Sequence, residues 1–332
     1  MAGLEHRAYG QGDATSTIIG LGGGTLRKHS FADGVATVRR ALELGVNYFD
    51  TSPFYAHGLS QPILGEALYG RSKQYMLATK LGHFVQPDRY RSVEVLRTQL
   101  EENLRLLRRD AVDVLAVHEA DWSCWWTDGI PDAQHRSWLD NHTPDKQIRD
   151  DLEYDFADAP VMEVLRAAKK EGKCRFIGIT GNRAASVARV LRGVDVDVCL
   201  SAYHYDVIWR GAQQTIIPIA QDKQVAVVLG GPLQTLSILQ GNMTRMKRLP
   251  RWDEADIRDR FKRLENIERE SGLGRVELTM RFLAADPAVT SILVGAALPS
   301  EIEASVLAVQ QGPLPDDLQQ AIVDLGIPYG TY

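Results

Sequence analysis

The stretch Gly45-Val46-Asn47-Tyr48-Phe49-Asp50-Thr51-Ser52-Pro53-Phe54-Tyr55 decides the fold. Its first half is a short apolar run of the kind that forms a buried strand. An acid follows at the strand's carboxyl lip, then a Pro-containing turn, then a Tyr five residues beyond the acid. Catalytic groups of β/α barrels sit at such strand ends. An ordinary strand end with a surface turn carries the same punctuation, so the surrounding chain has to decide.

On the amino-terminal side, Ser16 to Leu21 is a β-type run leading into Gly22-Gly23-Gly24. Gly20-Leu21-Gly22 opens like a dinucleotide fingerprint, but its third glycine would fall at Thr25 and no helix opens there. A glycine-rich strand end that lets a ligand approach the backbone fits better. Ser30 with Asp33 marks a helix start, continued by Val35, Val38 and Leu42 at helical spacing. On the carboxyl side, Gln61 to Leu68 reads as a helix and Tyr75 to Thr79 as a strand ending in Lys80. Ser92 to Leu107 is an amphipathic helix, and Asp113 to Val117 a strand ending in His118.

Residues 119–157 break this rhythm with four tryptophans (Trp122, Trp125, Trp126 and Trp138) and many acids. A connection this long tends to be functional. The alternation then resumes, with helices over Val161–Lys170, Ala184–Leu191 and Gly211–Gln221. Strands fall at Arg175–Ile179, Val196–Leu200 and Val225–Leu229. A polar connection from Gln234 to Gly272, part helical, precedes a helix at Val276–Ala284, a strand at Ser291–Val294 and a helix at Glu301–Val309. Counted from Ile18, eight strands are each followed by a helix. Short apolar strands alternating with helices imply a parallel sheet, and eight such units without a composition break imply a closed one. The expectation is an α/β fold, a (β/α)8 TIM barrel over residues 1–332 as one domain, with extended loops after strands 4 and 7. The 119–157 segment would be an insertion on the substrate side.

The chain has 332 residues, 44% hydrophobic and 24% charged, with a net charge of −5. That balance argues against a nucleic-acid binder, which needs a basic face. Cys124, Cys174 and Cys199 are too widely spaced for a disulfide framework or a zinc site, so no metal is expected and the thiols suit a reducing cytoplasm. The first seven residues lack the apolar core of a signal peptide. The longest apolar run, Val225 to Leu233, is too short to span a bilayer. The expectation is a cytoplasmic protein acting on a small molecule, with its oligomeric state open.

Asp50 and Tyr55 after the second strand, Lys80 after the third and His118 after the fourth converge on one face of such a barrel. A phenol near pKa 10 is a poor base at neutral pH, and a nearby ammonium favours its ionised form. An Asp beside the Lys holds it in place, and a His offers a hydrogen bond to a carbonyl or hydroxyl oxygen. The set suits proton transfer during carbonyl–alcohol interconversion.

These residues carry a resemblance. Gly45 to Ser52, Tyr55 and Leu64-Gly65-Glu66-Ala67-Leu68 resemble the aldo-keto reductase signature. Ala78-Thr79-Lys80-Leu81-Gly82 is similar to that family's lysine strand, Val112 to His118 to its histidine strand, and Gly172 to Gly181 to its fifth strand. Ile179-Thr180-Gly181 and Ser201-Ala202-Tyr203-His204-Tyr205 look most like its sugar dehydrogenase branch of L-galactose and aldose dehydrogenases. The match runs from about Ile18 to Val309, interrupted by 119–157. The resemblance implies a nicotinamide cofactor, NAD or NADP, held without a Rossmann domain. It makes Tyr55 the general acid or base, tuned by Lys80 and Asp50, with His118 orienting the substrate oxygen. It assigns cofactor contacts to Gly22, Gly23, Asp50, Thr180, Ser201, the turn Gly231-Pro232-Leu233, Gly295 and Glu301.

The chain departs from the family pattern at several points. Ala56 stands where Gly often follows the Tyr, Gln61 where Glu is common, and Gly181 where Asn is common. Gly230 takes the place of the aromatic that often stacks on nicotinamide, and the sixth-strand Gln falls near Ser201 or Ala202. NADPH-dependent members usually place Arg or Lys near the start of the last helix. Here that position is Glu301, and no Lys or Arg lies between Gly295 and Val309. An acid there repels a 2′-phosphate and accepts from a ribose hydroxyl, which favours NAD and oxidation. Trp122, Trp125 and Trp126 are candidates for a substrate lid, or else for a self-packed loop or an oligomer contact. His57 is a further candidate for the pocket wall. The reading is an NAD-dependent dehydrogenase of an aldose or cyclic hemiacetal. The alternatives are an NADPH-dependent carbonyl reductase and a non-catalytic redox-sensing barrel.

Overall fold

The computed structural model describes residues 3–9, 13–71, 75–128, 147–233 and 254–326. Its strands are β1 (His6–Ala8), β2 (Thr15–Thr17), β3 (Ile19–Gly22), β4 (Tyr48–Asp50), β5 (Met76–Leu81), β6 (Val112–Val117), β7 (Cys174–Gly181), β8 (Val198–Ala202), β9 (Ala226–Gly230) and β10 (Ser291–Val294). The helices are α1 (Phe31–Glu43), α2 (Ser60–Ala67), α3 (Val93–Leu107), α4 (Pro160–Lys170), α5 (Ala184–Gly193), α6 (Gly211–Asp222), α7 (Glu254–Ser271), α8 (Arg275–Ala284), α9 (Pro299–Gln310) and α10 (Asp316–Val323). Strands β3 to β10 close into a parallel barrel, β10 pairing with both β9 and β3. The eight-stranded β/α barrel expected from the alternation is the fold observed.

Several boundaries follow local chemistry. Helix α1 starts at Ser30, whose hydroxyl accepts from the Asp33 amide while the Asp33 carboxylate accepts from the Ser30 amide, a reciprocal cap. Ser92 caps α3 in one direction only, its hydroxyl accepting from the Val95 amide. Strand β5 runs to Leu81, so Lys80 lies inside the strand rather than past its end.

Pleat alternation sorts the barrel residues into two sets. Tyr48, Met76, Ala78, Val114, Phe176, Val198, Leu200, Ala226, Val228 and Leu293 pack together inside the barrel. Residues between them, such as Phe49, Leu77, Leu115, Ile177, Cys199 and Leu229, join the layer between sheet and helices. The register keeps inward positions opposite inward positions all round: Asp50 opposite Ala78, Ala78 opposite Val114, Ala116 opposite Gly178, Leu200 opposite Val228 and Ala202 opposite Gly230.

The amino-terminal end of the barrel is closed by an element the sequence reading did not foresee. Strands β1 and β2 form an antiparallel pair, too short to show a period-two pattern. Tyr9, just past β1, is fully buried and its hydroxyl lies 3.0 Å from that of Tyr48. Arg7 donates to the carbonyls of Ala284, Asp286 and Val289, capping the carboxyl end of α8. The short carboxyl-terminal helix α10 was also not foreseen.

Candidate active site

The inward set, followed to the carboxyl ends of the strands, reaches Gly22, Asp50, Lys80, His118, Thr180, Ala202 and Gly230. One half of the mouth is therefore polar. On the other half the inward strand-end residues Ala202, Gly230 and Gly22 have little or no side chain of their own, and the Tyr203 ring lies against Gly231 just beyond them. A Cβ on Gly230 would meet Leu200 and Ala202, and one on Gly22 would meet Leu293 and the Val294 carbonyl, so both positions lie against the barrel interior.

Asp50 and Lys80 face each other across adjacent strands. The Lys80 ammonium donates to Asp50 Oδ1 at 2.5 Å and to the Thr51 carbonyl at 2.8 Å, and both side chains are buried. Burial pulls Lys80 below its ordinary value and pushes Asp50 above its own, each opposed by the other's charge. Nζ lies 4.6 Å from the centroid of the Tyr55 ring. Burial pushes the Tyr55 phenol well above its ordinary value, and the charges of Asp50, Tyr203 and Glu119 add to this. In this state the lowering expected from Lys80 is not seen. The ammonium sits against the ring, its charge is balanced by Asp50, and desolvation outweighs it. Tyr55 is a neutral acid in this state.

His118 meets the Tyr55 ring edge-on, centroids 5.3 Å apart. Its Nδ1 lies 3.0 Å from Ser52 Oγ, leaving Nε2 as the nitrogen available to a substrate oxygen. Burial, with the charges of His83 and Lys80, holds the imidazole well below its ordinary value, so it is neutral. Asp50, Tyr55, Lys80 and His118 thus come together at one end of the barrel.

A strained turn delivers Tyr55. Ala56 and His57 have φ of +54°, a left-handed conformation costing about 1–2 kcal/mol for a residue with a side chain. That conformation explains why glycine suits the position after the Tyr. His57 is exposed at the rim. Gln61 is buried, donating to Thr79 Oγ1.

The tryptophans are packing groups. Trp125 and Trp126 are buried, and their indole N–H groups donate to the carbonyls of His118 and Ala120. Trp125 lies over Gly82, where a Cβ would come within 2.8 Å of its ring, and edge-on to Tyr90. The geometry gives these two the self-packed role rather than the lid. Trp122 is buried as well and meets the His83 ring at 5.6 Å. Trp138 lies outside the described residues.

Other positions named from the sequence divide likewise. Thr180 Oγ1 accepts from the Glu119 amide at the mouth. Alternation puts Ser201, between inward Leu200 and Ala202, on the outer side of β8. Gly23 has no room for a side chain, because a Cβ would meet Ser60 Oγ at 2.2 Å and the Asp50 carbonyl at 2.9 Å. Gly231, at φ +63°, opens the turn after β9 that continues through Pro232 and Leu233. Gly295 follows β10 beside Thr25. Glu301 caps α9: its Oε2 accepts from the amides of Ala297 at 2.6 Å and Leu298 at 3.3 Å. Gly181 is explained by packing, since a Cβ would lie 2.3 Å from Val187 and 2.6 Å from Asp121 Oδ1. Asp121 is a buried carboxyl pushed up to about 6 by desolvation.

The sequence reading missed a second polar group beside the first. His83, at φ +62°, stacks on Phe54 at 4.6 Å and meets His118 edge-on at 4.1 Å. Glu119, at φ +56°, is buried with Oε2 3.5 Å from His83 Nε2. Glu119 Oε1 accepts from Asn182 Nδ2 at 2.8 Å. The one available signal was position, three residues after Lys80 and one after His118.

An acid-capable phenol, a buried ammonium–carboxylate pair and a neutral imidazole at a barrel mouth can move a proton to or from an oxygen held between Tyr55 and His118. Residues 18–326 match the Aldo/keto reductase family. The chain belongs to that family. Among its relatives, L-galactose dehydrogenase of Arabidopsis thaliana is 30% identical, over 94% of this chain and 90% of that protein. D-threo-aldose 1-dehydrogenase of a Pseudomonas species is 26% identical, over 91% and 88%. Pyridoxal 4-dehydrogenase of Microbacterium luteolum is 24% identical, over 97% and 98%. The holo form of an aldo-keto reductase from Bacillus halodurans superposes with a TM-score of 0.72, covering 99% of each chain at 22% identity, and so shares the fold. The protein is an oxidoreductase of the aldo-keto reductase type.

Proposed function

We propose that this aldo-keto reductase oxidises an aldose or related cyclic hemiacetal to a lactone, using NAD. What supports the chemistry is the convergence of Tyr55, Lys80, Asp50 and His118 on one half of a mouth whose other half is built from small residues. The small residues Gly22, Ala202 and Gly230, with the Tyr203 ring beside Gly231, suit a flat ring, and Thr180 at the border would hold a carboxamide. A nicotinamide held against Gly22, Ala202, Gly230 and Thr180 would supply the hydride acceptor for the substrate carbon. Tyr55, once ionised, would take the hydroxyl proton of the substrate, and His118 Nε2 would hold the same oxygen. Asp50 fixes Lys80 beneath the Tyr55 ring.

Glu301 supports NAD over NADP on a different ground from a bond to the ribose. Its carboxylate accepts from the Ala297 and Leu298 amides just ahead of α9, which fixes a negative charge at the helix start. A 2′-phosphate brought there meets a resident negative charge, and no Lys or Arg lies between Gly295 and Val309 to offset it. The sugar substrate is supported by the two sugar dehydrogenases among the relatives.

One observation favours a second reading, carbonyl reduction. A phenol raised by burial stays protonated near neutral pH, the form that gives a proton to a carbonyl oxygen. Steady-state KM and kcat for NAD and NADP with a panel of aldoses, with the product identified, separate the two. Lower KM for NAD and a lactone product are expected. A clear NADP preference, or aldehyde reduction with no aldose oxidation, overturns the proposal.

A further inference from the structure

Arg27, Lys28 and His29 are consecutive and exposed, in the loop between β3 and α1. Among the described residues, none of the three side chains forms a hydrogen bond or an ion pair. Arg40, on the helix that follows, pairs instead with Glu43 and Glu303. The nearest acid along the chain, Asp33, is turned to the amide and hydroxyl of Ser30. Two adjacent cations repel each other, and the positive end of α1 follows them, so local stability does not account for their placement.

Their place in the barrel offers a reason. Strand β3 ends at the mouth with Gly22, and the short turn Gly23–Thr25 leads from it to the basic residues. That turn packs on one side against the Tyr55–Gly58 turn, and on the other its Thr25 side chain lies beside Gly295. Helix α1 is tied to the same segment by Thr37 Oγ1, which donates to the Ala297 carbonyl at 3.2 Å. A Cβ on Gly24 would meet nothing within 4 Å, so the surface between these two sides is open. The basic residues therefore stand on the rim between the small strand-end residues and the segment that leads into α9.

A nicotinamide dinucleotide carries a negative charge on each of its linking phosphates. It approaches a chain of net charge −5, and the Glu301 carboxylate adds a fixed negative charge at the start of α9. Attraction to this mouth needs a local source of positive charge. We propose that Arg27 and Lys28 form a cationic rim that draws in the pyrophosphate of the dinucleotide. The inference rests on the reading of the mouth as a nicotinamide-dinucleotide site. It gives the two residues a part in cofactor capture and none in proton transfer. Exposed charges on a rim act mainly on association, and salt screens them.

The test is stopped-flow binding of NADH and NADPH, followed by quenching of tryptophan fluorescence, over a range of salt. Wild type is compared with the double variant Arg27→Gln/Lys28→Gln. A control, Arg39→Gln/Lys170→Gln, removes the same charge from exposed positions on α1 and α4. The rim variant should associate about threefold to tenfold more slowly at low salt, with dissociation changed by less than about twofold. The gap should close by about 0.5 M salt. NADH and NADPH should lose alike, because both carry the pyrophosphate, and the control should keep the wild-type rates. An unchanged rim variant, an equal loss in the control or a loss confined to NADPH overturns the proposal while the cofactor reading stands. A wild type that binds neither dinucleotide overturns both.

Discussion

Lys80 is a buried ammonium whose charge is neutralised by Asp50 and whose position supports the Tyr55 ring. Removing one member of such a pair strands the other charge in the interior. Lys80→Met is expected to lower unfolding free energy by about 3–5 kcal/mol in urea titrations, and pairing it with Asp50→Asn should recover part of the loss. Tyr55 carries the second residue-level expectation. Its phenol is raised, so the form that takes a proton grows only as pH rises. Oxidation should therefore climb with pH through the alkaline range, and the reverse reaction should hold level until the phenol ionises. Initial rates in both directions across pH check this, and an oxidation rate that falls with rising alkalinity contradicts it. Asp50, Lys80 and His118 were legible because each ends an apolar run, and Tyr55 because it follows Asp50 in the signature stretch. Their ionisation was not, because the balance between an ammonium and desolvation depends on where Nζ sits on the ring.

At the scale of elements, apolar runs and capping residues marked the barrel strands and most helices to within a few residues. What failed to show was any feature that depends on contact between distant segments. Trp125 and Trp126 looked equally suited to a lid or to packing until their indole N–H groups were seen on the carbonyls of His118 and Ala120. His83 and Glu119 are 36 positions apart, and only folding turns them toward each other. Gly181 reads as a missing Asn in sequence, and in space it makes room for Asp121. The turn that presents Tyr55 offers a direct test. Ala56 sits at φ +54°, so Ala56→Gly should relieve strain and raise stability by about 1 kcal/mol in denaturant titration. A loss of stability would show that the turn is not strained.

At the scale of the whole molecule, the barrel separates stability at one end from chemistry at the other. Tyr9 plugs the amino-terminal end and meets the Tyr48 hydroxyl, whereas Asp50, two residues along the same strand, belongs to the mouth. Tyr9→Phe leaves the buried Tyr48 hydroxyl without that bond and is expected to cost about 1–3 kcal/mol of stability, with kcat unchanged. Thermal unfolding and steady-state rates on the same preparation check both halves of that statement. The mouth is where the account stands or falls. The most direct measurement is turnover of Tyr55→Phe with an aldose, beside the affinity of the same variant for the oxidised dinucleotide. The expected result is a fall in kcat of about a hundredfold to ten-thousandfold with dinucleotide affinity nearly unchanged. Turnover close to wild type would contradict the assignment of Tyr55 as the proton-transfer group.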